Sequence, residues 1–346
     1  MTDVSGLPAL SSRDILQVLL YGFGKWVWPG LSPEGQGQVA VLLSRASWIV
    51  QRRKRDQAVA NLSIAFGAEA TPEWRRKIIT ESLSTFWWET LDLFDTPRQA
   101  AKVDRMTCTG LLHLRTALSH GKGVVLYGSS LGRRTVAQRY LTREGFALHH
   151  VHTEFHVSGL YTGPQSATRF TKNWLKPRYE SLERRFVPQI LYLPTTGSFA
   201  FARTLAGLLE RNTIVWSRGD AFWGQKMILM PFLGQHFPFP TGMLSLARMT
   251  GAPILPAFCY RLPDGGLCLT IEAPLPLAAS DREAALHDGL AYYVALVESY
   301  TRRYPGQYRD WHYVNQARQH HLARTEGGGI AGGPPARGHD TETADD

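Results

Sequence analysis

The stretch Gly121–Thr135, GKGVVLYGSSLGRRT, most constrains what this chain can fold into. Val124–Tyr127 is a short apolar run rich in β-branched and aromatic residues, which predicts a buried strand. Gly128–Gly132 breaks that pattern, and Arg133–Leu141 resumes at helical spacing. A strand, a tight polar turn and a helix start are a common seat for an α/β active site, because the helix N-terminus presents unpaired N–H groups there. The turn itself offers Ser129, Ser130, Arg133, Arg134 and Thr135, none of which is a general base at neutral pH.

The rest of the chain supports a mainly parallel sheet flanked by helices, preceded by an N-terminal helical, membrane-associated region. Strands are expected at Val124–Tyr127, Phe146–Val151, Ile190–Leu193, Thr213–Ser217 and Ile254–Phe258, with helices at Arg133–Leu141, Ser198–Glu210 and Thr241–Met249. Strands alternating with helices in this way imply parallel pairing. Pro263-Asp264-Gly265-Gly266 predicts a hairpin into Leu267–Glu272, and Arg282–Tyr304 reads as a terminal helix. We divide the chain into a helical region over 1–102, an α/β core over 103–322 and a disordered tail over 323–346. No internal repeat is present.

Ahead of the sheet, Ile15–Trp28 is apolar and aromatic but short, and Gln17 and Lys25 interrupt it. A span needs about 20 apolar residues, so the stretch predicts a helix lying in an interface rather than crossing a bilayer. It has neither the basic start nor the small-residue cleavage site of a signal peptide. Val39–Ile49 is helical in pattern and leads into the basic run Gln51-Arg52-Arg53-Lys54-Arg55. Thr71-Pro72-Glu73-Trp74 opens a long helix to Phe94, with Thr71 as N-cap and Pro72 at the first position.

Composition matters for partners. The net charge of +9 favours an anionic partner, and ten Trp, thirteen Tyr and fifteen Phe mixed with basic residues suit a membrane–water interface. Basic residues beside a bilayer contribute about 1 kcal/mol each toward anionic headgroups. No zinc-finger, RNP-type or basic-zipper pattern points to nucleic acid. Cys108, Cys259 and Cys268 have no metal-ligand spacing and suit a reducing compartment.

Three segments together resemble the lipid A late acyltransferases, the lauroyl/myristoyl transferase group of the lysophospholipid acyltransferase superfamily. They are Arg53–Phe66 with the following helix through Glu89, the block Asp220–Pro256, and Tyr304–His312, and they cover about 260 residues from Gln51 to His312. The middle block, DAFWGQKMILMPFLGQHFPFPTGMLSLARMTGAPILP, is similar in order and spacing to that family's acidic residue, "pFfG", "tG", "LAr" and "tGApvvP" succession. The last segment is similar to a "P-x-Q-Y-x-W-x-H" ending. The resemblance implies an enzyme on the cytoplasmic face of the bacterial inner membrane. It implies an acyl-carrier-protein or coenzyme A thioester as co-substrate, no bound cofactor, and a glycolipid or lysolipid hydroxyl as acceptor. The family's signature is a His, four residues, then Asp or Glu, after the first core strand. The His abstracts the acceptor proton and the acid orients it. In this chain Ser130 stands where the His belongs and Thr135 where the acid belongs.

Another base is therefore required for family chemistry. His149-His150-Val151-His152-Thr153-Glu154-Phe155-His156 is the candidate source. Period-2 geometry gathers His150, His152, Glu154 and His156 on one strand face, on a strand expected to adjoin the Ser130 turn. Three readings stay open: a relocated base, a zinc site from alternating His and Glu, and partly exposed histidines over a basic groove. The residues expected to carry the chemistry are Ser130, His152, Glu154 and Asp220, with no metal. Arg133, Arg134, Arg169, Arg218, Phe232, Gly234, Thr241 and Gly242 are the substrate contacts. Two functions from different classes follow: an acyltransferase with a non-standard site, or a non-catalytic lipid- or partner-binding relative.

Overall fold

The structure, a computed structural model, describes residues 11–94, 96–153, 168–194, 199–221, 224, 226–277 and 281–326. Seven strands form one sheet: β1 (Thr107–Thr109), β2 (Val124–Gly128), β3 (Leu148–Thr153), β4 (Gln189–Leu193), β5 (Ile214–Arg218), β8 (Ile254–Arg261) and β9 (Leu267–Ile271). Their order is β1-β9-β8-β2-β5-β3-β4. Every neighbouring pair is parallel except β8–β9, the hairpin expected from the Asp264-Gly265 turn. β6 (Met227–Phe232) and β7 (Gln235–Pro240) make a separate antiparallel hairpin inside the aromatic block, which the sequence pattern did not reveal.

Alternation along β2 explains the layering. Val125 and Tyr127 join one buried cluster with Val215, Phe232, Phe237, Phe239 and Tyr293, while Val124 and Leu126 join a second with Ile214, Trp216, Leu175 and Tyr179. Successive side chains point to opposite faces, so one strand feeds both cores. On one side lie α9 (Phe199–Glu210), α10 (Gly242–Thr250) and α11 (Arg282–Arg303), and on the other α6 (Leu111–Ser119), α7 (Arg134–Arg143) and α8 (Lys176–Glu183).

The N-terminal helices are α1 (Ser12–Gly22), α2 (Pro33–Val50), α3 (Arg52–Phe66) and α4 (Pro72–Leu91), followed by α5 (Thr96–Asp104). Thr71 caps α4 by accepting from Trp74 N, with Pro72 at the first helical position. α3 and α4 grip the segment after α11. Asn61 Nδ2 donates to Trp311 O at 2.7 Å, Ser82 Oγ to Tyr308 O at 2.7 Å, and Thr85 Oγ1 to Gly306 O at 3.3 Å. These bonds fix the segment on α3 and α4, and Gly132 N to Gln307 O and Arg309 N to Ser130 O join it to the turn that follows β2.

Three expectations change. The chain does not end its helices at Tyr304, because α12 (Val314–Glu326) follows, and residues 327–346 lie outside the described residues. Ile15–Trp28 is not one regular helix, since α1 gives way to wider and then tighter turns over Phe23–Gly30. β3 does not adjoin β2, because β5 runs between them.

α1 is amphipathic in reverse. Asp14 and Gln17 face inward, where Thr168 Oγ1 donates to Asp14 Oδ1 at 2.7 Å and Thr171 Oγ1 to Gln17 Oε1 at 3.0 Å. Ile15, Leu16, Leu19 and Trp26 face outward, with Leu19 64% and Trp26 75% exposed. Leu42, Ile49 and Val50 of α2 add exposed apolar surface. Among the described residues no helix is long and apolar enough to cross a membrane.

Candidate functional site

The turn Ser129–Arg133 lies where β2 leaves the sheet, and it is closed rather than open. Ser130 has no exposed surface. Its Oγ donates to Asp310 Oδ2 at 2.5 Å and its backbone N–H to Asp220 Oδ2 at 2.8 Å. Its carbonyl accepts from both Arg309 N and Arg309 Nε at 3.1 Å. Gly132 N donates to Gln307 O at 2.9 Å. Gly132 sits at φ +68°, and a Cβ there would meet Cys259 O at 1.7 Å, so only glycine lets the turn nest against β8.

Four carboxylates and their cations frame this turn. Arg218 Nη1 reaches Asp310 Oδ2 at 3.0 Å and its Nε reaches Asp220 Oδ1 at 3.4 Å. Burial pushes Asp220 up to about 6; Arg218 opposes the rise and Asp310 adds to it. Burial alone would raise Asp310, but Arg218 and His312 outweigh it and hold that carboxyl below its ordinary value. Glu89, from α4, accepts from Thr135 N at 3.1 Å, Thr135 Oγ1 at 2.9 Å and Arg134 Nε at 3.2 Å. It thereby satisfies one of the orphan backbone N–H groups of α7, that of Thr135. Asp92 is sealed from solvent and pairs with Arg133 and with Lys102 Nζ at 3.1 Å. Burial would raise Asp92, but these two cations hold it at about 2.

The histidines lie on the same rim, two strands away. His150 is in register with Trp216 of β5, which is in register with Leu126 of β2. His152 is therefore level with Gly128, across two strand spacings of about 10 Å in all. His150 and His152 share a face, with ring centroids 3.9 Å apart. Their carboxylate comes from α8: His150 Nδ1 lies 2.6 Å from Glu183 Oε1, and His152 Nε2 lies 3.0 Å from Glu183 Oε2. Arg134 Nη1 completes the group, 2.7 Å from His150 Nε2 and 3.3 Å from its Nδ1. All three ligating side chains are buried, and their ligand atoms lie within 4.8 Å of one another. Burial, His152 and Arg134 push His150 well below its ordinary pKa, against the pull of Glu183. Burial would raise Glu183, but the two imidazoles hold it well below the ordinary carboxylate range. The group is thus a neutral imidazole and an ionised carboxylate backed by a guanidinium.

The structure separates residues that the sequence placed in one site. Ser130, Asp220, Arg218 and Arg133 belong to the turn, whereas His152 belongs with Glu183 and Arg134 bridges the two. Arg133 is buried against Asp92, and Arg134 is engaged by Glu89 and His150; neither projects as a surface cation. Arg169 is exposed. Phe232 packs edge-on to Phe237 and Phe239 in the core, and Gly234 forms the β6–β7 turn at φ +74°. Thr241 is buried and donates to Lys226 O, whereas Gly242 is exposed with open space beside it. Glu154 and His156 lie outside the described residues.

Sequence reasoning missed Glu183, Asp310, Glu89, Asp92 and Arg309. Glu183 did leave a signal. It falls on the buried stripe Tyr179, Leu182 of α8, flanked by buried Leu175 and Phe186, and an acid on an apolar face needs a partner. Asp310 stands between the buried rings of Tyr308 and Trp311, in a two-residue spacer where the family ending has one residue.

No curated protein sequence matches the chain. The family model described as bacterial lipid A biosynthesis acyltransferase matches residues 12–312, taking in the N-terminal helices, the whole sheet and the Tyr304–His312 segment. With that match and the arrangement above, the chain belongs to the bacterial lipid A biosynthesis acyltransferase family.

Proposed function

We propose that this protein transfers a fatty acyl chain from a carrier-protein or coenzyme A thioester to a hydroxyl of a glycolipid or lysolipid. The base is an imidazole of the His150–His152 pair. The observation that carries this reading is the buried carboxylate–imidazole contact of Glu183 with both rings, beside the N-terminus of α7. It is the chemical pair that the family's signature would supply from the turn. The acceptor's O–H gives its proton to the imidazole as the oxygen bonds to the thioester carbonyl carbon. Collapse of the tetrahedral intermediate breaks the C–S bond, and the departing thiolate takes the proton back.

The reversed amphipathicity of α1, with Leu16 and Leu19 outward and Asp14 and Gln17 inward, supports work at a membrane surface, as does Trp26, exposed just after it. Exposed Arg52 and Arg53 at the start of α3 suit anionic headgroups. The place we assign is the cytoplasmic face of the bacterial inner membrane. The test is thioester consumption by purified protein with lipid A-type acceptors, with product mass checked for the added acyl group. Acylated acceptor is the expected result, and its absence with every donor chain length and carrier would reject the activity.

A second reading, a non-catalytic lipid-binding relative, has its own observation. Both residues at the family's catalytic positions, Ser130 and Thr135, are fully buried and committed to Asp310 and Glu89. Lipid copurification without transfer would select it.

A further inference from the structure

We propose that His150, His152 and Glu183 form a binding site for a zinc-class divalent cation, and that occupancy of this site switches acyl transfer off. The site stands on its donors alone, whereas the switch rests on the acyl-transfer reading above.

The donors converge from two elements. His150 and His152 are two residues apart on β3, so both rings leave the same face of the strand, with centroids 3.9 Å apart. Glu183 meets them from α8, with Oε1 2.6 Å from His150 Nδ1 and Oε2 3.0 Å from His152 Nε2. One donor atom from each residue lies within 4.8 Å of the others, and all three side chains are buried. Zinc bonds of about 2.0–2.2 Å to imidazole nitrogen and carboxylate oxygen set tetrahedral donors roughly 3.3 Å apart. A carboxylate shift of less than about 1 Å opens the group to that spacing. Two histidines and a glutamate are also a three-ligand zinc set that leaves a fourth position for water.

Charge points the same way. Among the described residues no lysine or arginine lies within ion-pair distance of Glu183, whose ion-pair partners are the two imidazoles. Burial, His152 and Arg134 keep His150 well below its ordinary pKa, so that ring is neutral. Buried charges are paired with an opposite charge or coordinate a metal, and neutral rings leave this carboxylate short of a cation. Arg134 does not fill that role, because its Nε is bonded to Glu89. Nor does it block ligation. Its Nη1 is 2.7 Å from His150 Nε2 and 3.3 Å from Nδ1, so it lies over the ring rather than in line with either nitrogen's lone pair. Imidazole donors select zinc and its neighbours, whereas magnesium takes oxygen ligands.

An ion held here occupies His150 Nδ1 and His152 Nε2 and neutralises the carboxylate that would support an imidazolium. A proton arriving on either ring then meets a divalent charge, so the pair no longer serves as a base.

The experiment titrates zinc into the chelator-stripped, full-length protein by calorimetry, with magnesium as the control ion, and reads the donors of the loaded protein by X-ray absorption. We expect one equivalent bound with a micromolar or tighter Kd, nitrogen and oxygen donors including two imidazoles, and no response to magnesium. His152→Ala and Glu183→Gln, checked as folded by near-ultraviolet circular dichroism, should each weaken binding more than about 100-fold, beyond the loss typical of a residue that only supports a ligand. His149→Ala, on the opposite face of β3, should leave binding unchanged. Binding no tighter than millimolar, sulfur donors, or binding indifferent to both ligand variants would overturn the site. Transfer measured on the same wild-type samples should fall in step with zinc occupancy and return on chelation. Undiminished transfer at full occupancy would overturn the switch, and transfer that requires zinc would overturn it together with the imidazole base. No transfer by the metal-free protein with any donor would overturn the acyl-transfer reading and the switch, while calorimetry and X-ray absorption still decide the site.

Discussion

The turn after β2 and the histidine pair of β3 sit on one rim of the sheet and both centre on buried carboxylates, yet the groups those carboxylates hold differ. At the turn, the hydroxyls of Ser130 and Thr135 each donate to a carboxylate, Asp310 and Glu89, and those carboxylates are held by Arg218 and Arg134. His312 stands beside Asp310 and helps to hold it ionised, while a serine hydroxyl holds its proton far above neutral pH. At the pair, a carboxylate meets two imidazoles, the one side chain whose ordinary pKa lies near neutrality. The difference teaches that a family fold can keep its polar frame at the usual position while a buried carboxylate–imidazole group stands about 10 Å away on the same rim. Arg134 links the two regions, binding Glu89 on one side and His150 on the other.

The comparison can be broken by removing charges. Arg133→Met should have the largest effect on stability, about 3–5 kcal/mol in urea denaturation, because it leaves Asp92 buried without its main partner. Removing both, as Asp92→Leu with Arg133→Met, should recover much of that loss. A small effect of the single variant would mean that the turn's ion pairs are not structural. Ser130→Ala comes next, at about 1–3 kcal/mol, since Asp310 loses a buried donor.

Titration sharpens the same comparison. Asp92, held at about 2 against an ordinary 3.8, contributes stability that is present above pH 3.8 and lost as the pH falls through about 2. Glu183, also held low, acts in the same direction. Asp220, raised to about 6, does the reverse: its contribution is complete below 3.8 and is lost as the pH rises through 6. Relative to wild type, Asp220→Asn should therefore gain stability as the pH rises from 4 to 6. A flat difference across that window would show that Asp220 titrates normally.

The smallest expected effect on folding is at α1. Leu16→Glu with Leu19→Glu should leave the melting temperature nearly unchanged, because both side chains already face outward. The same change should abolish flotation with anionic vesicles. Wild-type flotation should weaken with salt, since exposed charges are screened beyond about 8 Å at physiological ionic strength. Unaltered flotation of the variant would remove the apolar face of α1 from membrane binding.

How much of this was legible in the sequence depends on whether the determinant was local. β2 was readable because Val124–Tyr127 is a continuous apolar run, and the β8–β9 hairpin because Asp264-Gly265 is a turn signal. The N-cap at Thr71 was readable for the same reason. Sharing of a face by His150 and His152 followed from period 2 alone. Strand order was not local, so β3 was expected beside β2 although β5 intervenes. The partners of the site residues were less accessible still. Ser130 and Asp310 are 180 positions apart, and Thr135 and Glu89 are 46 apart. Glu183 could have been found as an acid on a buried helical stripe, but its target could not. The β6–β7 hairpin escaped because Pro231, Pro238 and Pro240 interrupt its strands, which pair with each other away from the main sheet.

The central claim is that proton transfer belongs to the histidine pair and not to the turn. The most direct measurement compares the single-turnover rate of acyl transfer in wild type, His152→Ala and Ser130→Ala, each verified as folded by near-ultraviolet circular dichroism. The account predicts a loss of about 10²–10⁴-fold for His152→Ala and a far smaller change for Ser130→Ala. Transfer that survives His152→Ala unchanged, or that falls more with Ser130→Ala than with His152→Ala, would contradict it.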